Sequence, residues 1–258
     1  MVKLVASDLD GTILLNCAQR VDLSLMETIG KLSDMGIIFA PASGRQIVSL
    51  KRLFEPVSDK LLYIAENGAL VEYKGEVIAK TTMDRELALE IIEDVIKIPS
   101  CEVLVSGRNT AYIKPKTKEY YYRMTEVVNY HTTLVDSFDE INEDILKVAV
   151  CDMSGIDNSK DYLKSTWGGK ASAVVSGTLY LDFMANDVSK GRAMKQIQEH
   201  FGLGKDECMA FGDNFNDCDM LDCVEYSYVM EKAVDEVKKH GKYVTSLVEG
   251  TLKKYFNI

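Results

Sequence analysis

Two aspartates near the N-terminus are the first residues with an evident chemical use. The segment Asp8-Leu9-Asp10-Gly11-Thr12 directly follows a short apolar run at residues 2–7, which is typical of a buried strand. Because side chains alternate along a strand, Asp8 and Asp10 leave on the same face and can share a site. Gly11 allows the chain to turn sharply there. Taken alone, the segment fits an acidic turn at a strand end as well as a pair of catalytic carboxylates.

A second loop late in the chain is rich in oxygen ligands. Gly212-Asp213-Asn214-Phe215-Asn216-Asp217 follows the apolar run Cys208–Phe211, another predicted buried strand. Carboxylates and carboxamides packed this closely suit a hard cation, although a polar surface loop has the same composition. An EF-hand is excluded, because Phe215 occupies a ligand position and Cys218 replaces the required glycine.

Two further residues could meet an anion. Ser43, followed by Gly44 and Arg45, ends a predicted strand, where it could cap the next helix, seat a phosphate group, or do both. Lys190 follows Ser189, a candidate helix cap, and so falls in a first helical turn, where the helix dipole disfavours a cation. This placement favours a lysine that meets an anion over a solvated surface lysine.

The elements that position these residues alternate between strand and helix. Ser24 and Glu27 fit a capping box at the start of a helix that ends near Gly36. The remaining predicted elements of this part are strands at 37–40 and 61–65, and a hairpin of Leu70–Tyr73 and Val77–Lys80 that turns at Gly75. Strand and helix in alternation predict an α/β fold, a doubly wound Rossmann-like parallel sheet covered by helices.

The alternation of strand and helix is interrupted at about residue 82 and resumes near residue 185. A helix at 84–97 leads into strand-like runs at 102–106, 110–114, 146–151, 172–176 and 178–183. The alternation then returns with a helix over Ser189–Phe201, the Cys208–Phe211 strand, and shorter strands at Val224–Val229 and Tyr243–Thr245. The sequence therefore predicts a discontinuous core of residues 1–81 and 185–258, with residues 82–184 inserted as an α+β domain.

Parallel sheets bind ligands at the carboxyl ends of their strands, so the polar loops are expected at one edge. Their order is D-x-D-G-T, a strand-end serine, a lysine, and G-D-x-x-N-D. With this order the chain resembles the haloacid dehalogenase superfamily, and within it a Cof-type (class IIB) sugar phosphatase. The resemblance spans essentially the whole chain, since the insert has the position and size of the α/β cap of these enzymes.

The resemblance implies a set of roles at the site. Asp8 would be the nucleophile and a Mg²⁺ ligand, and Asp10 the general acid and base whose backbone carbonyl also binds the metal. Asp213 would complete the protein's metal ligands, while Ser43 and Lys190 would hold the phosphoryl oxygens. The cap would recognise the substrate, a small phosphorylated metabolite.

The resemblance also assigns supporting residues. Gly44, Arg45, Asn67 and Asn216 would lie at the substrate and phosphate, and Asp217 would position the metal loop from behind. Relatives carry Gly-Asn-Ala after the strand that follows the metal loop, whereas this chain has Glu231-Lys232-Ala233. The departure leaves the chemistry intact and puts the neighbouring loops, and hence the substrate, in question.

Composition restricts the partners. A formal net charge of −10 argues against a nucleic-acid or anionic-membrane partner, because both need a basic face. No stretch approaches a membrane span or a signal peptide, and the six cysteines form no C-x-x-C pair. These features predict a cytoplasmic protein with reduced thiols, while its oligomeric state leaves no trace in the sequence.

Other activities remain open or are excluded by missing motifs. A cysteine-dependent phosphatase would need an arginine six residues after the cysteine, and a P-loop enzyme would need G-x-x-x-x-G-K-[ST]; both are absent. The three histidines are isolated, which argues against a histidine zinc site. A phosphomutase would use the same Asp8 and Asp10, and a non-catalytic phospho-aspartate switch would share several of these residues.

Overall fold

An eight-stranded sheet organises the parts of the chain that carry the aspartate loops. The structure is a computed structural model that describes residues 1–258, with the side chain of Cys17 outside the description. The strand order is β14-β13-β12-β1-β2-β3-β4-β5, parallel from β14 to β3 and antiparallel in the β3–β4–β5 meander. The strands are β1 (Leu4–Asp8), β2 (Ile38–Ala42), β3 (Leu62–Ala65), β4 (Leu70–Tyr73), β5 (Glu76–Lys80), β12 (Cys208–Gly212), β13 (Tyr226–Met230) and β14 (Tyr243–Thr245).

Helices cover both faces of this sheet, as the near-continuous apolar strands require. Leu4 and Ala40 pack with the apolar faces of two helices that follow the insert, whereas the alternating Val5 and Phe39 are equally buried on the other face. The helices of this part are α1 (Leu23–Asp34), α2 (Ile47–Leu53), α6 (Lys190–Phe201), α7 (Cys218–Asp222), α8 (Asp235–Lys238) and α9 (Val248–Phe256). The predicted doubly wound α/β fold is confirmed.

The helix starts differ from the sequence expectation in one place. Ser189 is the N-cap of α6, and its hydroxyl accepts a hydrogen bond from the backbone N–H of Arg192 at 3.1 Å. The capping box expected at Ser24 is wrong, since α1 already begins at Leu23 and the Ser24 hydroxyl instead donates to Glu249 of α9. The Ser24 hydroxyl thus makes a tertiary hydrogen bond to Glu249 in place of the expected local capping bond.

The inserted residues form a six-stranded sheet of order β10-β11-β9-β6-β7-β8, antiparallel except for the β7–β8 pair. Its strands are β6 (Cys101–Ser106), β7 (Ala111–Ile113), β8 (Thr132–Leu134), β9 (Lys147–Asp152), β10 (Ser172–Val175) and β11 (Tyr180–Met184). Its helices are α3 (Arg85–Val95), α4 (Lys118–Tyr122), which runs on into a π-helix at Arg123–Val127, and α5 (Lys160–Trp167). The short edge strand β8 was not expected, because its three residues are at least partly exposed and show no apolar alternation.

The chain divides into two compact units. One comprises Met1–Arg45, Leu50–Lys80 and Ser189–Ile258, and the other comprises Gln46–Ser49 and Thr81–Val188. Among the described residues, no helix is both long enough and apolar enough to cross a membrane.

Candidate active site

Two neighbouring parallel strands bring the aspartate loops together. β1 and β12 pair in register from Leu4↔Cys208 to Ser7↔Phe211, so Asp8 and the loop that begins after Gly212 leave the sheet at the same edge. Carboxylate oxygens of Asp8, Asp213 and Asp217 all lie within 4.8 Å of one another. Residues about 200 positions apart in sequence thus form one acidic cluster. The reason is that neighbouring parallel strands end at the same edge of the sheet, however far apart they are in the chain.

Lys190 lies at the centre of this cluster. Its ammonium group donates to Oδ1 of Asp8 at 2.5 Å and to Oδ1 of Asp217 at 2.6 Å, and its side chain is fully buried. Since Lys190 is the first residue of α6, the local helix dipole opposes its charge, and two carboxylates offset that cost. The sequence expectation that this lysine meets an anion agrees with these two contacts.

Burial and charge shift the proton affinities at the cluster. Burial raises the pKa of Asp8 well above its usual range, and the charge of Asp217 raises it further, while Lys190 opposes both. Burial alone would lower the pKa of Lys190, but the charges of Asp217 and Asp8 outweigh it and raise that pKa. Burial also raises the pKa of Asp213. The cluster therefore holds more negative charge than one ammonium group can balance.

The Asp213 carboxylate is held by the first loop. The Thr12 hydroxyl donates to Oδ1 of Asp213 at 2.7 Å, and Thr12 is almost completely buried. Gly11 has a φ of +99°, and a Cβ atom built on it would lie 2.3 Å from Oδ2 of Asp213. Only glycine allows the first loop to approach the second this closely.

Asp217 holds the loop Gly212–Asp217 in place through backbone hydrogen bonds. Its side chain is fully buried, and its Oδ2 accepts hydrogen bonds from the backbone N–H groups of Asp213 and Asn214, both at 3.0 Å. Its other oxygen binds Lys190. Asp217 thus links the backbone of the Gly212–Asp217 loop to Lys190, the lysine that also contacts Asp8.

Asp10 lies apart from the buried cluster and is paired with Arg45. The Arg45 guanidinium donates to Oδ2 of Asp10 at 2.9 Å and to Oδ1 at 2.6 Å, a bidentate contact. The Asp10 side chain is 54% exposed, in contrast to the buried Asp8. The Asp10 carboxylate is therefore open to solvent, whereas that of Asp8 is buried.

The third loop joins the site through β2. Asp8 pairs with Ala42 in the β1–β2 register, so Ser43 directly adjoins the end of β1. The Ser43 hydroxyl accepts a hydrogen bond from the backbone N–H of Arg45 at 3.2 Å. Ser43 does not cap a helix, because α2 begins only at Ile47. The structure therefore excludes the helix-cap role for Ser43, and the phosphate-binding role stays a prediction.

Asn67, Gly44 and Asn216 meet beside Ser43. The backbone N–H of Asn67 donates to the carbonyl of Ser43 at 2.9 Å, and its side-chain oxygen accepts from Asn216 Nδ2 at 3.4 Å. A Cβ atom on Gly44 would lie 3.0 Å from Asn67 Nδ2. The residues selected from the sequence as site residues lie at or just after the ends of β1, β2, β3 and β12, and at the start of α6.

The cluster of Asp8, Asp213 and Asp217 has the chemistry needed to bind a hard divalent cation. Oδ2 of Asp8 is buried, and no donor among the described residues forms a hydrogen bond with it. When ionised, the three carboxylates of the cluster exceed the charge of Lys190 by two, which is the charge of Mg²⁺. An all-oxygen donor set of carboxylates is the kind that Mg²⁺ prefers.

Two residues that position the site had no role in the sequence prediction. Thr12 was part of the first motif, yet its hydrogen bond to Asp213 spans 201 positions and cannot be inferred from spacing. Gly68 has a φ of +100°, and a Cβ there would lie 2.4 Å from the carbonyl oxygen of Ser189, the cap of α6. The only sequence signal for Gly68 was its position directly after Asn67.

Comparisons of this chain with known proteins agree on one family. A profile of haloacid dehalogenase-like hydrolases matches residues 5–249. A 5-amino-6-(5-phospho-D-ribitylamino)uracil phosphatase of Escherichia coli (strain K12) is 27% identical over 244 residues, which cover 94% of this chain and 90% of that protein. An HMP-PP phosphatase of Enterobacter sp. (strain 638) is 25% identical, with 92% of this chain and 87% of that protein covered.

Solved structures share the fold over the full length. A crystal structure from Eubacterium rectale superimposes with a TM-score of 0.88 at 28% identity and covers 98% of this chain and 99% of that one. A sugar phosphatase of haloacid dehalogenase subclass IIB gives a TM-score of 0.80 at 21% identity, with 100% of both chains covered. The chain therefore belongs to the haloacid dehalogenase-like hydrolase family and is a phosphoric monoester hydrolase of that family.

Proposed function

We propose that this enzyme is a Mg²⁺-dependent phosphatase that hydrolyses small phosphate monoesters through a phospho-aspartate on Asp8. The observation that carries the proposal is the buried Asp8 carboxylate, which has one oxygen on Lys190 and the other without a hydrogen-bond donor among the described residues. A carboxylate fixed in this way presents an oxygen that is oriented and poorly solvated, as a nucleophile requires.

Phosphoryl transfer proceeds in two balanced steps. In the first, an Asp8 oxygen forms a bond to phosphorus, the bond from phosphorus to the leaving oxygen breaks, and Asp10 gives its proton to that oxygen. In the second, water attacks the phosphorus, Asp10 takes a proton from the water, and the bond to Asp8 breaks. Free phosphate leaves and both aspartates return to their starting states.

Asp10 suits the acid and base role because it is exposed and held by Arg45. The bidentate contact fixes the carboxylate orientation, while its exposure allows protons to enter and leave. Asp8 is buried and cannot exchange protons with solvent as readily. The two carboxylates of the first motif therefore divide the chemistry between them.

The metal would be held by Asp8, Asp213 and the backbone carbonyl of Asp10. When bound, Mg²⁺ would neutralise charge on the phosphoryl oxygens and so reduce their repulsion of the Asp8 carboxylate. Lys190 and Ser43 would donate to the same phosphoryl oxygens, and Thr12 and Asp217 keep the metal loop in place. Gly44, Arg45, Asn67 and Asn216 line the approach, where the phosphate and the adjoining part of the substrate would bind.

Phosphorylated metabolites are the proposed substrates. The named relatives act on a ribitylaminouracil phosphate and on HMP-PP, and a structural neighbour is a sugar phosphatase. The inserted residues 82–184 would serve as a cap that selects among such leaving groups, while the core of 1–81 and 185–258 performs the chemistry. The chain would act in the cytoplasm on free small molecules.

The test is phosphate release from 4-nitrophenyl phosphate with and without Mg²⁺. We expect activity in Mg²⁺, its loss in excess chelator, and its recovery when Mg²⁺ is restored. Asp8→Asn should abolish turnover, because the amide is not a nucleophile, whereas Asp235→Asn on an exposed side chain of α8 is the matched control and should be fully active. Undiminished turnover in chelator, or an active Asp8→Asn variant, would contradict the proposal.

A further inference from the structure

Two charged residues, Glu231 and Lys232, follow strand β13, where relatives have an uncharged Gly-Asn pair. β12 and β13 run parallel and pair as far as Gly212↔Val229. Because neighbouring parallel strands end at the same edge of a sheet, both charged residues lie at the edge that also carries Asp213. Their side chains are exposed. Lys232 therefore adds a positive charge at the active-site edge that the proposed chemistry does not use.

The Lys232 side chain reaches the loop that follows Asp10. Its ammonium group donates to the side-chain oxygen of Asn16 at 3.2 Å. Asn16 lies two residues after Leu14, which forms an isolated β-bridge with Asp10. Since β12 lies between β1 and β13 in the sheet, this hydrogen bond joins the two loops that flank the Asp213 loop. Lys232 is therefore held beside the site, within a single compact unit of the chain.

Among the residues that the structure describes, no carboxylate forms an ion pair with Lys232. Its hydrogen-bond partner, the Asn16 amide, is neutral. By contrast, Lys190 and Arg45 are each bound by aspartate carboxylates. An ammonium group has three N–H donors, and the contact with Asn16 uses one of them. Lys232 therefore keeps two donors and its full positive charge for an anion at this edge.

The remaining charges of the molecule repel a second anionic group on a substrate. The transferred phosphate would use the charges of Mg²⁺ and Lys190, and the guanidinium of Arg45 is already shared with Asp10. The chain as a whole carries a formal net charge of −10, which disfavours the approach of an anion. A phosphate group has about two negative charges at neutral pH, so a second one needs a cation of its own.

We propose that Lys232 binds a second phosphate group of the substrate, so that the enzyme favours esters with two phosphate groups over monophosphates. The inference rests on the proposed phosphatase function and specifies its substrate class. Asn16 is the positioning residue, because its amide oxygen holds the ammonium group without neutralising it. An asparagine at position 232, as in relatives, could donate a hydrogen bond to a phosphate but would bring no charge.

The test compares two substrates that differ by one phosphate group. Phosphate release from fructose 1,6-bisphosphate and from fructose 6-phosphate is measured with Mg²⁺, and the ratio of their kcat/KM values is the readout. We expect wild type to favour the bisphosphate. Lys232→Met and Lys232→Asn should lower the ratio about 3- to 10-fold, mainly through KM, as for loss of an exposed contact between charged groups. Lys232→Arg should keep most of the preference, because the positive charge remains.

Lys31→Met is the matched control, because it changes the net charge by the same amount. Lys31 is exposed in the last turn of α1, which ends just before β2 begins and so lies at the opposite edge of the sheet. This variant should keep the substrate ratio within about twofold of wild type. A wild type that favours the monophosphate, an unchanged ratio in Lys232→Met, or an equal fall in Lys31→Met would overturn the inference.

Asn16→Asp separates anion binding from a purely structural contact between two loops. Aspartate tolerates the φ of +54° at this position, and its carboxylate would hold the ammonium group more strongly than the amide while neutralising its charge. If Lys232 only fastens the loops, this variant should keep the substrate ratio. The proposal predicts instead a ratio as low as that of Lys232→Met, with no loss of stability in urea unfolding. An unchanged ratio in Asn16→Asp would assign Lys232 a structural role and refute the proposal.

Salt dependence is a further readout that a structural role would not change. Added NaCl screens the attraction between exposed charges. The ratio of kcat/KM values should therefore fall with rising NaCl in wild type and stay nearly constant in Lys232→Met. The same salt dependence in both proteins would contradict an electrostatic role for Lys232.

The two proposals can fail separately. If wild type releases no phosphate from 4-nitrophenyl phosphate, the proposed function fails. Calorimetric titration of fructose 1,6-bisphosphate into wild type and Lys232→Met then still decides the role of Lys232, since binding needs no turnover. Equal affinity of the two proteins would refute that role, and an affinity about threefold or more weaker in the variant would support it.

Discussion

Gly11→Ala is the sharpest test of how the two aspartate loops fit together. A Cβ atom at this position would lie 2.3 Å from Oδ2 of Asp213, whereas an ordinary contact needs 3.4 Å, so the carboxylate must move by about 1.1 Å or the first loop must shift. A misplacement of about 1 Å at a catalytic group can cost about 100-fold in rate. We therefore expect kcat on 4-nitrophenyl phosphate to fall about 100-fold and the Mg²⁺ concentration for half-maximal activity to rise.

Backbone strain is a second effect of this substitution and needs its own control. The φ of +99° at Gly11 disfavours any side chain and should cost about 1–3 kcal/mol of stability. Gly36 also has a positive φ, +77°, yet a Cβ there meets no atom within 4 Å. Gly36→Ala should therefore lose stability and keep its activity.

The assay combines steady-state kinetics over a Mg²⁺ titration with urea unfolding of both variants. The displacement of Asp213 predicts that only Gly11→Ala loses activity, while both variants lose stability. If Gly11→Ala kept its activity within about threefold of Gly36→Ala, the close approach of Gly11 to Asp213 would have no catalytic importance, and the reasoning would be refuted.

Two further predictions concern proton transfer and pH. Asp10→Asn should accumulate a phosphorylated Asp8 when mixed with 4-nitrophenyl phosphate, because a good leaving group needs no acid whereas attack by water needs the base. The intact mass of the protein should rise by one phosphoryl group. Phosphate on Ser43 instead would disprove the assignment of the nucleophile. Burial raises the pKa of Tyr63 to about 12, so its contribution to stability is complete below the pKa of about 10 in the unfolded chain and is lost as pH rises towards 12. Tyr63→Phe should be less stable than wild type at pH 8, since the Tyr63 hydroxyl donates to Ser58. Urea unfolding at pH 8, 10 and 12 should show the difference in the free energy of unfolding shrinking as pH rises. A constant difference would contradict the raised pKa of Tyr63.

Local chemistry explains why much of the fold was predictable. The buried strands and the hairpin at Gly75 follow from apolar runs bounded by turn residues, and Ser189 caps α6 as its residue type favours. The expected capping box at Ser24 failed because Glu249, far away in sequence, offered the hydroxyl another partner. Strand β8 was missed because it is a short edge strand, whose partly exposed side chains need no apolar pattern.

The sequence by itself determined which residues could do chemistry, since the types and order of the loop residues depend on nothing else. The resemblance of Asp8, Asp10, Ser43, Lys190 and Asp213 to a known motif order needed no coordinates. Only the tertiary structure decided the contacts of these residues: Lys190 between Asp8 and Asp217, Thr12 on Asp213, and Arg45 on Asp10. The physical reason is that hydrogen bonds, burial and charge act over a few ångströms in space, and the chain brings such partners together only by folding.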